Sequence, residues 1–209
     1  GDTSIALSMI SDDSFYMEMK KDYAPEMVTA FIRLNGATVG CVANRSEVYT
    51  DGEKTATYDA ALTAAGCEKA AAFVNFCNAF EIPVLTLVNV DGYKNCKCNE
   101  KKIAKAAARL TYAFANADVP KVTVVVGKAN GTAGLTMNSK SIGSDIVYAW
   151  KNAKIGVMEA APAVKIMYAD EIAKADNAAA LINEKAAQYN EMQASALAAA
   201  KRGYVDDII

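Results

Sequence analysis

The sequence predicts an α/β domain with mostly parallel strands, and three observations carry that class. A buried strand, a loop and a helix alternate three times along the 209 residues at about the same scale. The strands are near-continuous apolar runs, as a sheet covered on both faces requires. Small residues follow each strand, most clearly in Lys121–Met137, where the run KVTVVV stops at Gly127-Lys128-Ala129-Asn130-Gly131-Thr132-Ala133-Gly134 and a helix opens. This rhythm fits a doubly wound sheet or a spiral of strand-strand-helix turns, and pattern alone selects neither.

The elements follow in order. Residues 3–27 read as an entry segment with some helix around Ser14–Met19. Val28–Leu34 and Ala37–Ala43 are strands joined by Asn35-Gly36, a strong hairpin signal because both positions tolerate positive φ. Ser46–Leu62 is polar and reads as an exposed, irregular loop. In Thr63–Phe80 the residues Ala70, Phe73, Val74 and Cys77 recur at helical spacing. Ile82-Pro83 leads into the strand Val84–Val90, then a turn at Asp91-Gly92, a polar loop and an Ala/Lys-rich helix over Glu100–Asn116. Pro120 precedes the third buried strand, Lys121–Val126, followed by a helix over Gly131–Ser139 and strand-like runs at Asp145–Trp150 and Lys154–Met158. The remainder, Ala163–Lys201, is rich in alanine with Glu, Lys and Gln, all good helix formers.

Composition excludes several function classes. Apolar residues make up 53% and the net charge is −2, which gives no electrostatic ground for nucleic acid as a partner. No apolar stretch approaches the roughly 20 residues needed to cross a bilayer, and Gly1-Asp2-Thr3 lacks the basic and apolar regions of a secretory signal. Five cysteines, Cys41, Cys67, Cys77, Cys96 and Cys98, form an odd set, three of them inside apolar patterns, which reads as a reducing, cytoplasmic protein. Without histidine or a second cysteine pair, Cys96-Lys97-Cys98 does not match a zinc site and reads as a loop with two ordinary thiols; no metal is expected.

The absence of histidine also removes triad chemistry, which needs an imidazole to accept a proton near neutral pH. What remains is backbone chemistry. A strand-to-helix turn leaves N–H groups without intrahelical partners at the positive end of the helix dipole, suited to an oxygen that gains charge during a reaction. The turn at Gly131-Thr132-Ala133 is neither a phosphate-binding loop nor a dinucleotide fingerprint. The turn at Asn89-Val90-Asp91-Gly92-Tyr93 follows the preceding strand, and ligands in parallel folds lie beyond the carboxyl ends of the strands, so the two turns are expected to face one pocket. Asp91, Glu159 and Asp145 are candidate carboxylates that nothing in the sequence places together, and Asp206-Asp207 reads as solvated charge.

The words are also familiar. Glu68–Pro83 (EKAAAFVNFCNAFEIP), Leu110–Ala115, Val119–Val124, Lys128–Ala133, Met137–Lys140, Tyr148–Trp150, Ile155–Met158 and Arg202–Ile209 resemble, in order, segments of the biotin-dependent carboxyltransferases acting on acyl-CoA. That group includes the β subunits of propionyl-CoA carboxylase and the α subunits of glutaconyl-CoA and methylmalonyl-CoA decarboxylases. The resemblance covers nearly the whole chain but only the second of the family's two crotonase-like domains. It implies a crotonase-like spiral of repeated ββα units, and a chain whose residues 1–209 are one carboxyltransferase C-terminal domain, a fragment or half of a two-domain subunit.

It further implies the site. Gly131, Thr132 and Ala133 would supply a backbone oxyanion hole for the ureido oxygen of biotin as the carboxyl group leaves; Asp91, Gly92 and Tyr93 would form the opposing, biotin-binding wall; Leu135 stands where members differ and would tune substrate preference. Biotin would arrive on a partner carrier protein, acyl-CoA would be the substrate bound by a partner acyl-CoA-binding half, and homo-oligomers are expected. A cytoplasmic location follows, peripheral to a membrane where membrane decarboxylase subunits join a pump complex. The family's Gly-Gly-Ala becomes Gly131-Thr132-Ala133, where a β-branched residue disfavours positive φ. Its Asp-Val-Pro-Gly-Phe becomes Asn89-Val90-Asp91-Gly92-Tyr93, and a further Gly-rich stretch becomes Glu159-Ala160-Ala161-Pro162-Ala163. These departures motivate a competing expectation, a non-catalytic assembly or scaffold domain; a stand-alone hydratase, lacking a recognisable Glu pair, ranks last.

Overall fold

The computed structural model describes all of residues 1–209. Helix α1 (Thr3–Ile10) opens the chain, with the Asp2 carboxylate accepting from the Ser4 N–H at its N-terminus. Strand β1 (Tyr16–Glu18) pairs antiparallel with β2 (Met27–Leu34), and β2 pairs antiparallel with β3 (Ala37–Asn44) across the expected Asn35-Gly36 turn, whose φ angles are 50° and 81°. The helix expected around Ser14–Met19 is therefore absent: those residues complete the open edge of β2, and the helix lies upstream. The loop expected over Ser46–Leu62 is in part a hairpin, β4 (Glu47–Thr50) and β5 (Glu53–Thr57), turning at Asp51-Gly52.

Helix α2 (Ala64–Ala79) and strand β6 (Val84–Val90) match their expected spans closely. Helix α3 (Lys97–Asn116) begins three residues earlier than expected, and its C-terminal carbonyls at Phe114 and Ala117 accept hydrogen bonds from the buried Lys121 ammonium. Strand β7 (Lys121–Asn130) runs past the expected end at Val126 because its last residues acquire a partner, β9. Helix α4 (Gly131–Thr136) is shorter than expected, the chain turning back through Asn138 at φ 55°. Strands β8 (Ile146–Ala149) and β9 (Lys154–Gly156) follow. The alanine-rich remainder is four helices: α5 (Ala160–Met167), α6 (Ala169–Lys174), α7 (Ala178–Met192) and α8 (Ala196–Lys201), before the short edge strand β10 (Asp207–Ile208).

The main sheet runs β1-β2-β3-β6-β7-β8-β10, parallel from β3 onward, and β9 pairs with the far end of β7. Side chains alternate between its faces. Val84, Val88 and Val90 point to the larger core with Val74, Leu110 and Phe114 of α2 and α3; Leu85 and Leu87 point to a smaller one with Leu7 of α1 and Ile32. Asp206 is exposed, as expected, and also pairs with Lys140 at 2.8 Å and accepts from the Val147 N–H, tying β10 to β8. No helix is long and apolar enough to cross a membrane.

At the carboxyl ends of the parallel strands the ladder is completed by two asparagines. Asn44 accepts from the Asn89 N–H at 2.8 Å and donates back to the Asn89 carbonyl; Asn89 in turn accepts from the Lys128 N–H at 3.0 Å. This leaves no room beside Gly127, where a Cβ would lie 2.3 Å from Asn89 Oδ1. Gly127→Ala should lower stability by about 1–3 kcal/mol through overpacking, read as a lower urea midpoint at unchanged m value; an unchanged midpoint would show that Asn89 can move without cost.

Candidate functional site

Three segments converge beyond the carboxyl ends of β6 and β7: the turn Asp91-Gly92-Tyr93, the β7–α4 junction, and the chain entering α5. They enclose a cavity of about 340 Å³ lined by Asp91, Gly92, Tyr93, Gly131, Thr132, Ala133, Glu159 and Pro162. All six residues expected in the two opposing turns thus border one space. Leu135 does not: half exposed, it borders an adjoining cavity of about 640 Å³ that shares Gly131, Thr132 and Val157 with the first.

The first turn of α4 is left without caps. Asn130 occupies the capping position, but its side chain donates to Asp91 Oδ1 and accepts nothing from the helix. The N–H groups of Thr132 and Ala133 have no acceptor in any turn, cap or side-chain contact. They are preorganised donors at a positive helix end. The left-handed backbone position of the turn belongs to Gly131, at φ 58°, where a Cβ would also meet the Val157 carbonyl at 3.0 Å. Thr132 is helical, so the strain expected of a β-branched residue there does not arise.

The opposing turn is held from both sides. The Asp91 N–H donates to the Ala60 carbonyl at 2.7 Å and the Leu62 N–H to the Gly92 carbonyl at 2.9 Å. The Tyr93 hydroxyl lies 3.4 Å from Thr136 Oγ1, which donates to the Thr132 carbonyl at 2.9 Å, so the two opposing turns share one chain of hydroxyls.

Lys128 joins what the sequence could not. Its ammonium lies 2.8 Å from Asp91 Oδ2 and in direct contact with Glu159 Oε1, bringing together two of the three candidate carboxylates; Asp145 sits elsewhere, accepting from the Lys121 N–H at 2.7 Å. Burial acts to raise the Asp91 carboxyl, but hydrogen bonds from Lys128 and Asn130 outweigh it and hold it below its ordinary value; the same carboxylates, against burial, hold Lys128 above its own. No group of three or more ligating side chains is arranged for a metal ion. Lys128 and Asn130 escaped the sequence reading of the site, although both lie in the segment singled out for its small residues; Glu159 is a candidate carboxylate that the sequence leaves without a place.

Comparison with known proteins finds relatives that are enzyme subunits. The family model described as carboxyl transferase domain matches residues 1–209. The methylmalonyl-CoA carboxyltransferase 12S subunit of Propionibacterium freudenreichii subsp. shermanii is 39% identical over 209 residues, all of this chain but 38% of that protein. The propionyl-CoA carboxylase beta chain of Cereibacter sphaeroides is 40% identical over 207 residues, 96% of this chain and 37% of that one. Among solved structures, transcarboxylase 12S with hydrolysed methylmalonyl-coenzyme A bound superposes with a TM-score of 0.90 at 40% identity, over 100% of this chain and 38% of that one. The Pseudomonas aeruginosa geranyl-CoA carboxylase beta subunit gives 0.83 at 25% identity, over 100% of this chain and 38% of that one. The chain spans under two fifths of the length of these relatives.

Since Asp91 is depressed below its ordinary value near 3.8, its stabilising contribution is fully present above that pH and is lost as pH falls through the lower, folded-state value. With the pair partly open to solvent the contribution is under about 1 kcal/mol. Asp91→Asn should therefore lower Tm at pH 7, and the gap to the parent should narrow at pH 3; a gap that stays constant or widens contradicts the assignment.

Proposed function

The chain belongs to the carboxyl transferase domain family, and on that premise we propose that residues 1–209 form the biotin-facing domain of an acyl-CoA carboxyltransferase subunit. The observation that carries the reading is the uncapped first turn of α4 facing the Asp91-Gly92-Tyr93 wall across one cavity. Full-chain similarity to carboxyltransferase, carboxylase and decarboxylase subunits supports it.

Biotin on a carrier protein fits this space, since the cavity offers paired N–H donors for a ureido oxygen and a wall of Tyr93, Val157 and Pro162 for an apolar ring. When bound, it supplies the ureido nitrogen through which a carboxyl group is exchanged with the acyl-CoA. The chain's own part is electrostatic. The Thr132 and Ala133 N–H groups hold an oxygen that gains negative charge, without reorganising as the charge develops. Lys128 fixes the distance between the wall and the entry to α5 by binding Asp91 and Glu159 at once. No histidine is needed, because the reacting partners themselves carry the proton.

The acyl-CoA-binding half is a partner domain, and assembly into an oligomer supplies it, in keeping with the hexamer described for transcarboxylase 12S. One relative is a decarboxylase subunit, which agrees with a peripheral place beside membrane subunits as one setting for the same half-reactions. The scaffold alternative loses one of its motives, since the glycine-requiring position is Gly131 and not Thr132.

In a complex reconstituted with the acyl-CoA-binding half and carboxybiotin, Thr132→Pro, which deletes one donor N–H, should lower carboxyl transfer by about 10²- to 10³-fold. Thr132→Gly, which keeps that N–H, should retain transfer to within a few-fold. Full activity in a folded Thr132→Pro variant overturns the oxyanion assignment, and absence of transfer in the reconstituted parent returns the scaffold reading.

A further inference from the structure

Cys96 and Cys98 play no part in the site above, yet the structure does not leave them as two separate loop thiols. Their sulfurs are 2.9 Å apart. Cys96 caps the twenty-residue helix α3, its carbonyl accepting from the Asn99 and Glu100 N–H groups at 3.0 Å each, and Cys98 lies in the first turn. Both reach solvent, whereas Cys41, Cys67 and Cys77 are buried.

We propose that Cys96 and Cys98 form a dithiol site that reacts with a low-molecular-weight disulfide and closes into an intramolecular disulfide at the start of α3. The roles divide by environment. A hydrogen bond from the Cys98 thiol, then the Asn99 N–H, holds Cys96 below the ordinary thiol range, while Cys98, as donor, is pushed above it. Cys96 is thus the attacking thiolate and Cys98 the resolving thiol. In the first step Cys96 Sγ attacks one sulfur of the small disulfide, breaking its S–S bond and releasing one thiolate. In the second, Cys98, having lost its proton to solvent, attacks Cys96 Sγ, breaking the mixed disulfide and releasing the second thiol. Two protein thiols are oxidised and one disulfide is reduced to two thiols, so atoms and electrons balance. Ring closure brings the sulfurs from 2.9 Å to a bond of about 2.05 Å. Burial pushes the Cys67 and Cys77 thiols up to about 12, so they supply no thiolate to compete.

The site also bears on the pocket. Asn99, bound to the Cys96 carbonyl, donates from its side chain to the Lys94 carbonyl at 2.8 Å and accepts from the Ala64 N–H at 2.7 Å, and the Lys94 N–H donates to Leu62, which binds Gly92. The pair is therefore fastened to the strap behind the Gly92 turn.

The test treats the folded chain with oxidised glutathione, traps free thiols and maps peptides by mass. The parent should yield a Cys96–Cys98 peptide two hydrogens lighter, carrying no glutathione, with the three buried cysteines still free. Cys98→Ser should retain one glutathione on Cys96, and Cys96→Ser should react at least about tenfold more slowly than the parent. Glutathione retained on the parent without closure, Cys96→Ser reacting at the parent's rate, or the buried cysteines oxidising equally fast would each overturn the proposal.

Discussion

The position of the pocket depends on how three parallel strands end. Parallel ladders leave backbone groups unpaired where neighbouring strands diverge, and unpaired buried groups are costly. Here Asn44 binds both backbone groups of Asn89, and Asn89 binds the Lys128 N–H, so the carboxyl ends of β3, β6 and β7 are held in fixed register where the regular ladder is interrupted. Asn44 is buried, which strengthens these bonds and raises the cost of breaking any one of them. Two residues past Asn89 the chain delivers Asp91, and one residue past Gly127 it delivers Lys128. Both walls of the pocket inherit their positions from one chain of amides.

On that base the chain arranges its charges in its own way. Asp91 and Glu159, far apart in sequence, both meet on Lys128. This ion-pair clamp positions more than it stabilises, since each member is partly solvated. The clamp also draws the Asn130 side chain away from α4, so that holding the wall and leaving the helix N–H groups free are one arrangement. The left-handed position of the turn falls on Gly131, which tolerates it, and leaves Thr132 an ordinary helical residue.

Much of the fold was legible because its signals are local. The Asn35-Gly36 hairpin, the helix at Ala64–Ala79 and the strand Val84–Val90 each announce themselves in composition and period. Other elements exist only through partners. Tyr16–Glu18 is a strand because β2 has an open edge, and the last residues of β7 because β9 lies beside them. The Asp51-Gly52 turn carried a hairpin signal, but its flanks are polar and lack the alternation that makes such a signal persuasive. At the site, the two turns could be anticipated from their place after strands, whereas the Lys128 clamp spans 37 and 31 residues of sequence and leaves no local trace. The sulfur pair leaves no trace for a related reason: helix α3 starts at Lys97, and that start sets the two thiols face to face.

Strand β7 has one neighbour on one side and two on the other: β6 along most of its length, then β8 beside Val122–Val125 and β9 beside Lys128–Asn130. Neither β8 nor β9 has a place to dock until β7 is laid down, and β10 has none until β8 is. Both β8 and β9 reach β7 across short stretches of sequence, whereas β10 returns to β8 only after the four alanine-rich helices, so the longest loop closure of the sheet falls on its last and shortest strand. A single strand thus decides where four of the sheet's other strands can lie, three by direct pairing and β10 through β8.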